Sequence, residues 1–282
     1  MSKKTTTWLI IATALVLIGC ILFVSVMKMC KWDFTKLSTV KYETATYEFS
    51  EEIKNLSVLT DTANIVFLPS ESEKTTVVCY QQKNIPHTAV LKDGTLTINN
   101  LDTRKCFEHI GINFGSTKIT IYLPKTEYGS LLVNCSTGNI ELPKNCTFEH
   151  IKVKTSTGKI TAFDINCTKT FEAKVTTGKL KANNITCNDF FSNGNTGEVY
   201  LENVIAKNEL NINRSTGDVK FVGCDAKNVH IETDTGDVKG SLLTGKTFIT
   251  KADTGKIRVP QTYGGGLCEI TTDTGDITIT LQ

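Results

Sequence analysis

The chain has 282 residues, with 31 Lys and Arg against 29 Asp and Glu and a formal net charge of +2. Near-neutrality gives no long-range field of one sign, and no nucleic-acid recognition motif is present, so nucleic acid is not an expected partner. The length allows one or two domains with a sizeable core, and ten cysteines occur without the C-x-x-C spacing of a zinc site.

In chain order, the first predicted element is helical. Residues 8–27 (Trp8 to Met27) are almost wholly apolar, and twenty helical residues span about 30 Å, the hydrocarbon thickness of a bilayer. Lys3 and Lys4 precede the run; Lys28, Lys31 and Lys36 follow it. A short charged start before an export-type segment points to a single-pass cell-membrane anchor in residues 1–30, with the rest of the chain outside the cytosol. Leu17-Ile18-Gly19-Cys20 also resembles a lipobox, in which Cys20 would be lipidated. The apolar run continues to Met27, where a lipoprotein would turn polar, so the uncleaved anchor is preferred over the lipoprotein and over an ordinary cleaved signal.

Residues 31–46 form a polar juxtamembrane stalk. From Tyr47 to about residue 130 strand patterns follow one another irregularly: 64–69, 76–80, 95–98 and 118–124. Asn99–Gly115 breaks the pattern as a long loop. Residues 47–130 are expected to be degenerate coils that lead into a regular array at 131–282, as terminal repeats often do.

In that array eight Thr-Gly dipeptides recur at intervals of 19 or 20 residues, with glycines Gly138, Gly158, Gly178, Gly197, Gly217, Gly236, Gly255 and Gly275. Ser, Thr, Asn or Asp stands two residues before each glycine, which is turn chemistry. Two residues after it comes a branched apolar residue: Ile140, Ile160, Leu180, Val199, Val219, Val238, Ile257 and Ile277. Polar residues alternate with these, the period-two signature of a strand buried on one face. A fixed period of this length marks a solenoid. The expected fold is all-β: a single-stranded parallel β-helix of 19–20-residue coils, right-handed by analogy with the crossover rule. The chain ends inside a strand (Thr278–Gln282), which places an open sheet edge, a route to self-association, at the C-terminus.

Candidate chemistry is sparse. Asp-Thr-Gly at 234–236, 253–255 and 273–275 is also the aspartic-protease tripeptide, but here it occupies one column of a repeat, where turn chemistry accounts for it. Asp234, Asp237, Asp273 and Asp276 share that corner and are weak calcium candidates, opposed by Lys256 between them in the ladder. A second column (Cys135, Thr155, Val175, Gly194, Arg214, Thr233, Ala252, Thr272) is too broken for an ice-binding face. Cys146, Cys167 and Cys187 are placed in one corner column, as stacked free thiols in preference to disulfides. His87, His109, His150 and His230 are scattered. No catalytic residue and no cofactor is assigned.

The Leu-Pro strands at 68–69 and 123–124, the strand 93–98 and the Ser/Asp-Thr-Gly-x-hydrophobic repeats from 136 onward resemble a bacterial family of putative adhesins with β-strand repeats and no established function. The resemblance covers roughly residues 50–282. It implies a membrane segment followed by a β-solenoid ectodomain, with envelope stress signalling in some relatives, and it offers no catalytic residues to carry over. The expected function is therefore a non-enzymatic, membrane-anchored extracytoplasmic module for binding, adhesion or envelope sensing. Its partners would be the lipid bilayer through residues 8–27 and a cell-envelope protein or cell-wall polymer. The alternative is a carbohydrate-active β-helix enzyme acting on surface polysaccharide, with Asp218, Asp237 and Asp276 as its carboxylates.

Overall fold

A computed structural model describes residues 2–37, 40–102 and 115–282. The segment 103–114, which holds most of the expected loop together with Cys106 and His109, lies outside the described residues. Helix α1 (Lys3–Met29) is capped by Ser2, whose hydroxyl accepts from the Thr5 amide. The strands are β1 (Tyr42–Phe49), β2 (Asn55–Thr62), β3 (Asn64–Pro69), β4 (Thr75–Gln82), β5 (His87–Lys92), β6 (Thr95–Asn100), β7 (Lys118–Leu123), β8 (Glu127–Thr137) and β9 (Ile140–Glu141). They continue as β10 (Thr147–Thr196), β11 (Val199–Thr216), β12 (Val219–Cys224), β13 (Asn228–Thr235), β14 (Val238–Leu242), β15 (Thr247–Thr254), β16 (Ile257–Arg258), β17 (Leu267–Thr274) and β18 (Ile277–Leu281).

Successive repeats pair in parallel and in register. Ile140 lies beside Ile160, Leu180 beside Val199, and Val199 beside Val219. The alternation puts the branched residue of every repeat from Ile140 to Val238 inside, each essentially without exposure, in one continuous core. β10 spans 50 residues and takes in several corners.

Two kinds of corner recur along the array. One is the Thr-Gly ladder. Gly178 has φ +139°, and a Cβ there would lie 1.8 Å from the carbonyl oxygen of Gly158 on the neighbouring coil. Only glycine permits both the backbone angle and that approach. The other corner is a column of left-handed residues: Asn145, Asp164, Asn184 and Asn203, with φ between 51° and 56°. Asn and Asp tolerate this region better than other side-chain-bearing residues. Their side chains also link coils: Asn184 Nδ2 donates to Asp164 Oδ1 (2.8 Å) and Asn203 Nδ2 to Asn184 Oδ1 (3.1 Å).

At both ends the stacking order departs from the chain order. β17 pairs with β13 on one side and β15 on the other, and β18 likewise with β14 and β16. The last coil is thus inserted between the two before it. The expectation of an open edge at the C-terminus holds only in part: β17 and residues 277–278 have a partner on each side, 279–281 pair with β14 alone, and the outermost coil is 245–266. Lys256 accordingly lies at the outer end of its column, and Asp276 sits directly against Asp237. At the other end β2 and β3 are flanked by β6 and β7 outside and β8 and β9 inside. Within 47–130 some strands are not coil strands, since β1 runs antiparallel to β4, β4 to β7, and β5 to β6.

The outer C-terminal coil is tied down by a buried charge pair. Lys246 Nζ lies 2.8 Å from Asp225 Oδ1 and 2.9 Å from the Gly265 carbonyl, with the lysine side chain 3% exposed.

Candidate functional site

The Thr-Gly corner holds the acidic candidates. Its side chains form a ladder onto neighbouring amides: Asp218 Oδ1 accepts from the Asp237 amide (3.1 Å), Asp237 Oδ1 from Asp276 (2.8 Å), and Asp276 Oδ1 from Lys256 (2.8 Å). Asn64 and Asn139 do the same at the other end. Asp237 also pairs with Lys239 at 2.7 Å, and that lysine, then the Asp276 amide, hold its carboxyl below the usual range. Asp234 and Asp273 are exposed beside this ladder. Among the described residues no group of three or more His, Cys, Asp or Glu side chains could hold a metal ion.

Next to the glycines runs an inward polar column. Thr155, Thr233 and Thr272 are buried, and each hydroxyl donates to the glycine carbonyl of an adjacent coil, Gly138, Gly217 and Gly236, at 3.2–3.4 Å. Arg214 belongs to the same column, is 1% exposed and, among the described residues, pairs with no carboxylate. Its Nη1 donates to the Val175 carbonyl (2.9 Å) and its Nη2 to Ser192 Oγ (3.1 Å). It reaches Val175 by crossing Gly194, where a Cβ would lie 1.7 Å from Nη1. Burial lowers its pKa to about 10. This column is interior, so the broken pattern read from the sequence is a packing pattern and not a surface one.

The cysteines are interior as well. All nine described cysteines are free, and Cys79, Cys135, Cys146, Cys167, Cys187, Cys224 and Cys268 are buried. The expected column is found only in part: Cys167 and Cys187 are neighbours, Cys167 helping burial to raise the Cys187 thiol, whereas Cys146 stands apart. Cys146 sits against the next coil's corner, where its carbonyl accepts from the Asn166 amide (3.3 Å). Its thiol donates to Lys144 O, whereas that of Cys167 donates to Glu149 O. The 21-residue step from Cys146 to Cys167 exceeds the repeat, which puts them out of register.

The polar column opens at the N-terminal end into a cleft of about 220 Å³ lined by Thr60, Asp61, Gln82, His87, Asn100 and Thr117, among others. Thr60 aligns with Cys135, so the cleft is the mouth of the inward column. His87 begins β5 and is 2% exposed. Its Nε2 lies 3.0 Å from Thr60 Oγ1, its Nδ1 3.3 Å from Gln81 Oε1, and its carbonyl accepts from the Tyr47 hydroxyl at 2.7 Å. At the rim Asn100 Nδ2 donates to Asp61 Oδ2 (3.1 Å). Hydroxyls, amides and the two carboxylates of Asp61 and Asp102 converge here, and among the described residues Ile85 is the one aliphatic side chain in the lining. The sequence reading missed this site because its residues come from β2, β4, β5 and β6, which no single spacing links.

Burial lowers the His87 pKa. The unfolded imidazole takes up its proton near pH 6.5, while the folded one resists it to lower pH. The stability of this end is thus complete above pH 6.5 and is lost as pH falls through the folded pKa. The protection of β5 and β6 amides, corrected for the intrinsic exchange rate at each pH, is expected to fall between pH 7 and pH 5, and the His87→Gln variant is expected to remove that pH dependence.

On the outer face an aromatic and cationic run crosses several coils. Lys144 Nζ lies 5.2 Å from the Phe163 ring centroid, and Lys181 Nζ lies 5.6 Å from Phe163 and 5.5 Å from Tyr200. The runner-up carboxylates Asp218, Asp237 and Asp276 line up along the glycine corner rather than across this face.

The fold has solved relatives. A putative adhesin from Bacteroides fragilis matches at 19% identity, covering 84% of this chain and 97% of that one, with a TM-score of 0.53. A putative cell adhesion protein from Clostridium sporogenes (13% identity, 86% and 100% coverage, TM-score 0.26) and a putative adhesin from Parabacteroides distasonis (11%, 85% and 98%, TM-score 0.34) are more distant. No curated protein matches. The Toastrack DUF4097 family model matches residues 53–170 and 166–282, nearly the whole of the chain beyond α1, and the protein belongs to that family.

Proposed function

We propose that the protein is a non-enzymatic binding module of the cell envelope, built on right-handed coils of 19–20 residues. Helix α1 anchors it in the membrane and holds the solenoid on the extracytoplasmic side. Its most apolar 18-residue window has a mean hydropathy of 2.9 and is not buried against the rest of the chain, a surface suited to lipid. The cleft at Thr60, Asp61, His87 and Asn100 takes a hydroxyl-rich ligand, a sugar unit of a cell-wall polymer. The observation that carries this reading is the convergence of hydroxyl, amide and carboxylate groups on a mainly polar lining. The adhesin names of solved relatives agree with it.

The test is co-sedimentation of the full chain, in detergent micelles, with purified cell-wall sacculi. Retention is expected, and Asp61→Ala with Asn100→Ala is expected to weaken it about tenfold or more, from one or two hydrogen bonds of about 1–1.5 kcal/mol each. Absence of retention, or retention indifferent to both substitutions, overturns the assignment.

A further inference from the structure

The two ends of the solenoid are finished differently. At the N-terminal end β5 continues the sheet beyond β6 and β4 continues it beyond β7. At the other end β15 pairs only with β17 and β16 only with β18 among the described residues. The outer edge of coil 245–266 therefore offers unpaired backbone groups. Its apolar residues are also uncovered. Ile257 stacks on Ile277, which is fully buried, yet Ile257 itself is 42% exposed. Phe248 stacks on buried Cys268 and is only half-buried, and Ile249 stands outward on the same strand.

The charges on β15 specify what fits. Lys251 and Asp253 lie on one face of the strand, largely exposed, with their charged groups 2.9 Å apart. An antiparallel copy of the same strand, centred on Ala252, sets each Lys251 opposite Asp253 of the partner subunit. Moving the centre by one residue either way puts Lys251 against Lys251 or Asp253 against Asp253, and parallel in-register pairing does both. Opposite charges directly across an antiparallel pair stabilise it, and like charges destabilise it. A strand that complements itself in one register and opposes itself in the neighbouring ones is suited to a second copy of this chain. We infer that two copies dock end to end through β15, antiparallel about a twofold axis at Ala252, pairing residues 250–254 of each.

The test uses the full chain in detergent micelles with Cys20, Cys30 and Cys106 replaced by Ser and Ala252→Cys added. Directly opposed residues in such a pair have Cα atoms about 4.5–5.5 Å apart, inside the disulfide window. Oxidation is expected to give a disulfide-linked dimer on a non-reducing gel. Lys251→Glu is expected to cut its yield tenfold or more, and adding Asp253→Lys to restore it. Thr88→Cys on β5, at the opposite end, is expected to give none. A monomer by light scattering with no cross-link overturns the inference. So does cross-linking indifferent to Lys251→Glu, or a loss that Asp253→Lys fails to repair.

Discussion

Replacing Gly178 by Ala is expected to cost roughly 4 kcal/mol or more. Two penalties combine. A φ of +139° is a region that side-chain-bearing residues avoid, at about 1–3 kcal/mol. The added methyl would also lie 1.8 Å from the carbonyl oxygen of Gly158, a backbone atom held by its own coil, which adds overpacking of about 1–3 kcal/mol or more. For a protein of this size the thermal midpoint would fall by roughly 8–16 °C. Two controls separate the penalties. Gly264 has φ +88° with nothing within 4 Å of a built Cβ, so Gly264→Ala carries the backbone term alone. Lys179, next to Gly178 and 62% exposed, makes only a surface pair with Glu198 and is expected to cost at most about 1 kcal/mol as Lys179→Ala. Denaturation curves of the three variants should rank Gly178, then Gly264, then Lys179. Equal effects at Gly178 and Gly264 would show that the glycine ladder is not closely packed.

Alkaline conditions are expected to unfold the solenoid well before most surface charges titrate. Burial pushes the thiols of Cys79 and Cys224 up to about 11 and that of Cys268 to about 12, and it also raises those of Cys135, Cys146, Cys167 and Cys187. In the unfolded chain a thiol ionises near pH 9. Above that pH the unfolded state binds fewer protons than the folded state, so stability falls as pH rises, by up to about 1.4 kcal/mol per pH unit for each thiol. Arg214 acts with the opposite sign. Its folded pKa is lowered to about 10, so between there and its ordinary value the folded state loses its proton first and gains stability with pH. One guanidinium opposes seven thiols, and the thiols also begin to act about one pH unit earlier. The denaturant midpoint should hold between pH 7.5 and 8.5 and drop steeply between pH 9 and 10.5. The triple variant Cys187→Ala, Cys224→Ala and Cys268→Ala should flatten that drop by up to about 4 kcal/mol per pH unit. A midpoint that does not move by pH 10 would contradict the buried placement of these thiols.

The candidate surfaces differ in how far the sequence exposed them. The acidic corner was visible as a column, because Asp218, Asp237 and Asp276 repeat with the glycines, but its role was not. Only the coordinates show each carboxylate accepting from the next coil's amide. The second corner had a comparable signal, Asn145, Asp164, Asn184 and Asn203 at steps of 19 or 20 residues. It passed unnoticed because Asn and Asp are common in this chain. The cleft had no signal at all, since Thr60, His87 and Asn100 are gathered from separate strands.

By itself the sequence determined the repeat: the glycine corners, the inward branched residues, the parallel ladders and the apolar helix at the start. These follow from local periodicity, which fixes which side chain points inward and which backbone angle each corner needs. Tertiary structure alone decided the order in which the coils stack. Coils of the same period have nearly interchangeable edges, so the 267–282 segment can sit on the coil before it or between the two before it without changing its pattern. The inserted arrangement gives β17 ladders on both edges and leaves the 245–266 coil at the rim. The buried Arg214 was decided in the same way: its position follows from a glycine one coil away that leaves the space its side chain fills.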